Sequence, residues 1–551
     1  MNKGSSIAAY RRLSLLLFSL SLVLASASIG FARLQIGAYG LASSLSPTFF
    51  VALFLLTLSF LIAVRFNSRN SPLLFAQLIV LVVLLYLMPA LLEKTARFAP
   101  SYLVYGSTDY TLQHGHLDFS FSTIGAQYQR WPGITLLGAS LMQITNLSSE
   151  SILIGFPVAF ELLCLPVLYS ILSAVSDNRR LVWIGLWLYF VAGWINRAYY
   201  SGQALGYLLF LVVVFVILSL ALSKGRLRPK TKAAIPIVLV VLFIALAVSH
   251  LLSAIVAGAC LVILYILFRA FRIRGAGRFG FIIPVSLVAI AVWVFVFGGN
   301  AMFGDILQGP AGRFQLLNFG AILKSTFQVP FLGGEEHARI MLLRAIYTGA
   351  FCALALLGLV YTIIKGRMSL GSILMLGLLL GTCSAAVLVG SYGGESVYRA
   401  FEFSLLFLAF FAAKTLGSKA LSILLIVFLI VSPVLFVMCA YANEKADYVS
   451  PAEIRGVDFF YDHLSDDATV HSLWPRIWDY RDIERGHWVP LDMGALCSGQ
   501  GEGCFLLGKR DLETREFLEG DLRTDVDDLR SNFESSCRVR VYTSDGFELY
   551  K

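Results

Sequence analysis

Charged residues are scarce in this chain. Asp, Glu, Lys and Arg make up 14% of its 551 residues, against about 25% in an average soluble domain. Hydrophobic residues make up 58%, and the mean hydropathy is +0.77. This composition excludes a soluble enzyme, a disordered regulator and a small disulfide-rich domain. It is typical of a polytopic membrane protein.

The sequence also lacks the loops that proteins use to cradle nucleotides. No Walker-A lysine loop, Rossmann fingerprint or serine-nucleophile elbow occurs where a soluble domain would need it. The loops predicted on the cytoplasmic side are too short to form a nucleotide-binding domain. These absences argue against a substrate that is carried on a nucleotide. A functional site is therefore expected in the membrane part or in the external segments.

Apolar runs long enough to cross a bilayer, which takes roughly 17 to 25 residues, are abundant. The sequence predicts 13 of them, near residues 13–32, 46–65, 73–93, 152–174, 181–197, 203–223, 233–249, 250–268, 279–298, 340–364, 369–391, 397–414 and 419–440. The apolar run 132–147 is shorter. If it crossed the membrane, every later basic loop would lie outside, against the preference of Lys and Arg for the cytoplasmic side. We therefore predict that this run lies in the interface or re-enters.

The net charge of +9 combines two opposed parts. Residues 442–551 hold 23 acidic and 13 basic residues, whereas residues 1–441 hold 11 acidic and 30 basic ones. The basic residues of the first part cluster in the loops predicted to be cytoplasmic, so their excess is a topology signal and not a nucleic-acid footprint. The same topology places the N-terminus in the cytoplasm and the acidic C-terminal region outside.

The predicted organisation has three parts and is an all-α polytopic membrane protein with a small external α+β domain. Residues 1–72 form an N-terminal transmembrane hairpin, and residues 442–551 form the external domain, ending in a β-hairpin. Residues 73–441 form the transmembrane core, with long external loops at 94–151 and 299–339. We expect the second loop to act as a lid.

The first external loop concentrates titratable side chains. Asp109, His114, His116 and Asp118 follow one another shortly after a predicted membrane exit. A charge beside the hydrocarbon is costly, which makes each a candidate for function. We predict that Asp109 is a general base or the ligand of a divalent cation such as Mg²⁺ or Mn²⁺, and that the histidines contact an anionic substrate. The alternative is that these residues form a polar loop at the membrane interface. Their spacing does not decide between the two interpretations, because it is not a known zinc signature.

Further polar residues are predicted at the same outer face. The guanidinium of arginine can donate two hydrogen bonds to phosphate oxygens at once. We therefore expect a group of residues beside the external loops to bind phosphate or substrate. They are Arg197, Tyr200, His250, Arg344, Arg399 and Glu402.

Several of these residues have a structural alternative. The pair Arg197 and Tyr200 is equally well explained as an interfacial anchor, and His250 as a satisfied residue at a helix end. Arg399 has acidic neighbours at helical spacing and is equally well explained by a self-contained ion pair. Glu161, near the middle of the fourth span, is expected to face the bundle interior beside a partner that the sequence does not identify.

The first loop carries a resemblance to a known group of enzymes. Asp109, His116, Tyr128 and Trp131-Pro132, followed by the apolar run 133–147, resemble the first-loop pattern of uncharacterised prokaryotic members of the GT-C superfamily of integral-membrane glycosyltransferases. That group includes protein mannosyltransferases, aminoarabinose transferases and the catalytic subunit of oligosaccharyltransferase. The resemblance covers roughly residues 73–441, by topology more than by letters.

The resemblance implies a polyprenyl-phosphate-linked sugar donor, an acceptor outside the membrane and a catalytic role for Asp109. The chain departs from the better-known members, because a two-span hairpin precedes the loop and no Asp-Asp, Asp-Glu or Asp-x-Asp pair accompanies Asp109. The triplet Trp478-Asp479-Tyr480 is followed by Arg481 and is interpreted as coincidental with an oligosaccharyltransferase motif. The acceptor class (protein, lipid or glycan) and metal dependence therefore stay open.

Two rival functions remain. A transporter or lipid flippase would use the same few charges along a path through the bundle, but inverted repeats and broken midplane helices are not evident, and the polar residues gather at the outer face. A polysaccharide polymerase or ligase would place its site in 299–339, where Glu335 and Glu336 are the candidate acids. In the tail, Cys497, Cys504 and Cys537 allow one disulfide, whose pairing the sequence does not decide.

Overall fold

A computed structural model of the chain describes most of the membrane part and a fraction of the tail. The described residues are 3–67, 71–120, 127–195, 197–222, 228–272, 276–297, 320, 334–390, 395–463, 468–472, 477, 480–483, 488–490, 504–508, 517, 530–531, 535, 540–544 and 547–550. The predicted lid lies almost entirely outside them, as do Cys497 and Cys537.

The described chain is dominated by α-helices. In chain order they are α1 (Lys3–Phe31), α2 (Pro47–Asn67), α3 (Ser71–Tyr86), α4 (Met88–Glu93), α5 (Ala99–His114), α6 (Gln127–Arg130), α7 (Gly133–Thr145), α8 (Ser149–Val175), α9 (Arg179–Ala192), α10 (Gly202–Leu222), α11 (Pro229–Ser249), α12 (Leu251–Ala270), α13 (Ala276–Val292), α14 (Glu335–Ile364), α15 (Leu370–Val389), α16 (Ser396–Lys414), α17 (Lys419–Ala440), α18 (Glu444–Asp447) and α19 (Pro451–His463).

Among the described residues, 10 helices are long and apolar enough to cross a membrane, so the protein is a multi-pass membrane protein. They coincide with 10 of the predicted spans. The span predicted at 73–93 consists of two shorter helices, α3 and α4, and the one at 233–249 lies in α11, whose apolar part is Ala234–Ser249. Helix α7, at 13 residues, is about 20 Å long and too short for a hydrocarbon core of about 30 Å. The run 132–147 is therefore not a span, as predicted.

Helix α9 occupies the interior of the bundle. All its residues from Leu181 to Ala192 are buried, among them Trp183, Trp187 and Tyr189. A helix that is apolar all round and surrounded by other helices needs no lipid contact. It is also shorter than the predicted span at 181–197, because it ends at Ala192 and a non-helical connection follows before α10.

The two ends of the bundle carry different residues. At one end Arg180 donates a hydrogen bond to the carbonyl oxygen of Arg65 at 2.9 Å, so two of the basic loops assigned to the cytoplasm lie together. At the other end Phe98 donates from its backbone N–H to the carbonyl of Asp447 at 3.0 Å. The segment 94–151 and the C-terminal region therefore share one end of the bundle.

An ion-pair cluster joins α5 to the C-terminal region at this end. Arg97, just before α5, pairs with Glu444 and with Asp447, the latter at 2.8 Å. Its guanidinium also lies 4.9 Å from the ring centre of Tyr441. These contacts fix the start of α5, and so the direction in which its side chains project.

The described part of the tail is a small α+β unit, as predicted. Helix α19 packs on a sheet of strands β1 (Val470–Ser472), β2 (Trp488–Pro490), β3 (Cys504–Gly508), β4 (Arg540–Ser544) and β5 (Phe547–Tyr550), in the order β2-β1-β3-β5-β4. Strands β4 and β5 pair antiparallel and form the expected terminal hairpin. Buried residues of this unit and of α5 belong to one hydrophobic cluster, so the tail packs directly on the first external loop.

Candidate functional site

The candidate site is built on one face of α5. Tyr102, Tyr105 and Asp109 are spaced three and four residues apart and therefore share that face. Asp109 accepts a hydrogen bond from the hydroxyl of Tyr105 at 3.1 Å and from the amide nitrogen of Gln113 at 2.6 Å. Its carboxylate is thus held by neutral donors one helical turn away on either side.

The C-terminal region faces the same surface of α5. The ring of Tyr480 lies 5.9 Å from that of Tyr102 in an edge-on contact. The next residue, Arg481, is held by Asp462 at 3.0 Å and by Asp458 at 3.3 Å, both on α19. Its positive charge acts on Asp109. The tail therefore packs on the helix face that carries Asp109.

Partial burial raises the pKa of the Asp109 carboxyl above its ordinary value, although the hydrogen bonds from Tyr105 and Gln113 and the charge of Arg481 act in the opposite direction. Burial, followed by the Asp109 charge, raises the pKa of Tyr105 to about 12, so this phenol stays a donor at neutral pH. A carboxyl group that is harder to ionise than usual gives a carboxylate that is a stronger base.

Helix α5 is locked in place by a buried hydrogen-bond relay. Thr108, adjacent to Asp109, shares a 2.8 Å hydrogen bond with the hydroxyl of Tyr200. Tyr200 also donates to the carbonyl oxygen of Ile134 in α7 at 3.2 Å. The side chain of Tyr200 is buried, so it holds Asp109 in position from inside the bundle. The prediction that Tyr200 lies at the outer surface is wrong.

Gln129 supplies a second lock that the sequence analysis missed. Its buried amide donates to the carbonyl of Ser107 at 2.8 Å and to the hydroxyl of Thr111 at 3.1 Å, and its oxygen accepts from the backbone N–H of Asp118 at 3.3 Å. A glutamine in a polar loop gives no local signal of this role, because its partners are remote in sequence.

The two histidines predicted to assist lie at the end of α5. His114 stacks on the ring of Tyr110, with 4.2 Å between ring centres, and His116 lies 6.2 Å from His114. Both are exposed. They are close to Asp109 along the chain and accessible to a substrate, and the charge of His114 acts on the Asp109 carboxylate.

The described residues do not form a ready metal site. No group of three or more His, Cys, Asp or Glu side chains among them is arranged to hold a metal ion. The two oxygens of Asp109 accept hydrogen bonds from Tyr105 and Gln113. The role of Asp109 as a metal ligand stays a prediction.

A second polar group surrounds Arg399 at the start of α16. Arg399 pairs with Glu395 and, at 3.1 Å, with Glu402. Glu402 is buried and also accepts from the amide of Gln203 at 2.8 Å. The self-contained ion pair is therefore present, but its outer half is accessible, since the side chain of Glu395 is 53% exposed.

His250 belongs to this second group. Its imidazole nitrogen caps α12 by accepting from the backbone N–H of Ser253 at 3.3 Å, and it lies within electrostatic range of Arg399. The capping bond is the structural alternative foreseen for this residue. Arg399 also interacts electrostatically with Tyr199, which is the chain neighbour of Tyr200. The connection between α9 and α10 therefore lies near both polar groups.

Arg197 is not at the outer surface, which corrects the prediction. Its side chain is fully buried and pairs with Glu161 at 2.9 Å, which identifies the missing partner of that acid. Its guanidinium lies 4.7 Å from the ring centre of Tyr189 and 5.6 Å from that of Tyr207. The physical reason is the early end of α9, which lets the following connection turn Arg197 into the bundle.

Arg344 is likewise buried. It donates to the carbonyl oxygen of Cys439 at 2.8 Å and lies 4.8 Å from the ring centre of Trp194. No carboxylate among the described residues pairs with it. In the rival loop, Glu335 pairs with Arg339 and Glu336 with Lys445, so both acids are in ion pairs.

Close packing at Gly138 tests the Tyr200 relay. A methyl group added there would lie 1.8 Å from the Tyr200 hydroxyl oxygen. We expect Gly138→Ala to displace Tyr200 and lower stability by about 1–3 kcal/mol through overpacking, measured as thermal unfolding in detergent. Gly155→Ala in α8 is the matched control, because nothing lies near the added methyl. Equal unfolding temperatures for the two variants would contradict the relay.

Comparisons with known proteins are limited to solved structures. No protein-family model and no curated protein matches the chain. ArnT from Cupriavidus metallidurans bound to undecaprenyl phosphate matches with 10% identity over 88% of this chain and 98% of that one, at a TM-score of 0.49. The apo form matches with 10% identity over 87% and 97%, at 0.48.

An oligosaccharyltransferase from Archaeoglobus fulgidus, tethered to an acceptor peptide, matches with 11% identity over 83% of this chain and 71% of that one, at a TM-score of 0.47. Similarity at this level establishes no activity for the chain, which must be judged from its own site.

Proposed function

We propose that this protein is an integral-membrane glycosyltransferase that moves a sugar from a polyprenyl-phosphate-linked donor to an acceptor at the bundle end formed by α5 and the C-terminal domain. The observation that carries the proposal is the setting of Asp109. It is a partly buried carboxylate, held by two neutral donors and subject to the positive charge of Arg481 in the tail.

In the proposed reaction Asp109 accepts the proton of the acceptor hydroxyl. The acceptor oxygen bonds to the anomeric carbon of the sugar, and the bond from that carbon to the phosphate oxygen breaks with its electron pair on the phosphate. Tyr105 and Gln113 keep the carboxylate oriented, and a base with a raised pKa takes the proton more readily.

Arg399 is proposed to stabilise the departing phosphate. Its bond to the exposed Glu395 is of the weak, solvent-accessible type, so a phosphate can replace that carboxylate. The buried Glu402 continues to hold the other side of the guanidinium. An arginine pre-positioned in this way stabilises developing negative charge without reorganising.

The proposed membrane orientation follows from charge. The basic loops at the Arg65–Arg180 end face the cytoplasm, so the site and the acidic tail are external in a cell envelope. The hexosyl or pentosyl nature of the sugar and the kind of acceptor are left to the assay.

The test uses the full-length protein reconstituted in liposomes with polyprenyl-phosphate-linked hexoses and pentoses. Release of polyprenyl phosphate with transfer of the sugar supports the proposal. Movement of the intact lipid-linked sugar between leaflets, with no cleavage, indicates the flippase alternative. Loss of transfer in Glu335→Gln but not in Asp109→Asn would move the site to the polymerase-like loop.

The pH dependence of transfer provides a further prediction. The hydroxyl of Tyr105 stabilises the charged form of Asp109, so Tyr105→Phe raises the pKa of this carboxyl. We expect the acid limb of kcat/KM to move upward by about one pH unit. Tyr102→Phe on the same helix face is the control, because its hydroxyl bonds to the backbone N–H of Ala96 at 3.1 Å instead. An unchanged acid limb in Tyr105→Phe would rule out Asp109 as the titrating base.

A further inference from the structure

The N-terminal hairpin of α1 and α2 has an unusual charge distribution. Arg11, Arg12 and Arg65 lie near one end, where Tyr10 stacks on Phe66. Arg33 lies alone at the other end, just after α1. It is exposed and makes no hydrogen bond or ion pair with any residue that the structure describes.

Arg33 borders an open cavity of about 520 Å³ between the end of α1 and the start of α2. That volume is in the range of about 300–1,000 Å³ for small-molecule sites. One wall is apolar, formed by Leu24, Ala27 and Phe31 on α1. Phe31 is 89% exposed, which is costly in water and favourable against an acyl chain.

The same cavity is also lined by hydroxyl groups. Ser28 shares a hydrogen bond with Ser46 at 2.7 Å, and Ser46 shares another with Thr48 at 2.5 Å. All three line the cavity. A row of hydroxyls beside one arginine offers donors of the kind that recognise phosphate oxygens.

The connection that carries Arg33 is held rigidly. The hydroxyl of Ser44 donates to the carbonyl of Gln35 at 2.9 Å and accepts from its backbone N–H at 2.8 Å. Leu41 donates from its N–H to the carbonyl oxygen of Tyr441 at 2.9 Å. Because Tyr441 also stacks on Arg97, the cavity lies at the same end of the bundle as the candidate site.

We propose that this cavity binds one anionic phospholipid, with its phosphate on Arg33 and the hydroxyl row and an acyl chain along Leu24, Ala27 and Phe31. A guanidinium and a lipid phosphate are complementary in charge, which gives the isolated arginine a partner. The apolar wall, with the exposed Phe31, favours a lipid over a free anion. The site is separate from Asp109 and does not depend on the proposed transfer reaction.

The experiment measures lipid retention by the full-length protein in delipidated detergent micelles. Phosphatidylglycerol is added, and bound lipid is counted by native mass spectrometry. We expect one retained molecule, with affinity at least tenfold lower in Arg33→Gln, the loss expected for one charge-assisted hydrogen bond. Arg339→Gln is the control, an exposed arginine distant in sequence and paired with Glu335.

A second variant tests the apolar wall without touching the charge. Ala27→Trp fills the groove and should also lower retention tenfold or more, whereas Ala8→Trp, exposed elsewhere on α1, should not. Equal binding to Arg33→Gln and to the unmodified protein would overturn the proposal. So would equal retention of diacylglycerol, which lacks the phosphate, or displacement of the lipid by millimolar inorganic phosphate.

Discussion

Asp109→Asn is expected to lower the rate of sugar transfer by about 10²- to 10⁴-fold, the usual contribution of a positioned general base. The amide cannot accept the proton of the acceptor hydroxyl. The fold should survive, because the amide oxygen still accepts from Tyr105 and the side chain of Gln113 can turn to present its oxygen. The measurement is the initial rate of transfer in liposomes together with the thermal unfolding temperature.

Asp118→Asn is the matched control for this experiment. Asp118 lies in the same segment, but its carboxylate caps the backbone N–H of Ser120 at 2.7 Å rather than facing α5. We expect this variant to keep its transfer rate. A fully active Asp109→Asn protein would refute the assignment of the base and, with it, the proposed function.

Glu161→Gln should destabilise the bundle by about 3–5 kcal/mol, the cost of leaving one buried charge without its partner. Both side chains of the Glu161–Arg197 pair are 0% exposed, so water cannot replace the lost carboxylate. The aromatic rings around Arg197 offset only part of this cost. Reversible unfolding in detergent measures the change.

The double variant Glu161→Leu with Arg197→Met separates structure from function. Replacing both charges with apolar groups of similar size is expected to recover most of the lost stability. Glu335→Gln is the control, since the Glu335 and Arg339 side chains are 80% and 67% exposed and such a pair contributes about 0–1 kcal/mol. A stable double variant with unchanged binding of undecaprenyl phosphate would remove Arg197 from the phosphate-binding residues. A stable double variant that no longer binds this lipid would show that Arg197 belongs to the phosphate-binding residues.

Most of the membrane architecture was accessible from sequence, because a spanning helix is encoded by a contiguous apolar run. That α7 is too short to be a span was accessible for a related reason, since the sidedness of basic loops is a summed property of the chain. Errors occurred where an apolar run contains a break. The span predicted at 181–197 ends at Ala192, and this displaced Arg197 from the surface to the interior.

The candidate site was accessible only in part. The sequence by itself singled out one carboxylate, Asp109, near the start of an early loop, because a charge beside hydrocarbon is conspicuous in a chain with so few acids. Tertiary structure alone decided its partners. Tyr105 and Gln113 gain meaning from the helical phase of α5, and Arg481 reaches the site only because the tail folds back onto that helix. Such contacts join residues remote in sequence, and no local pattern encodes them.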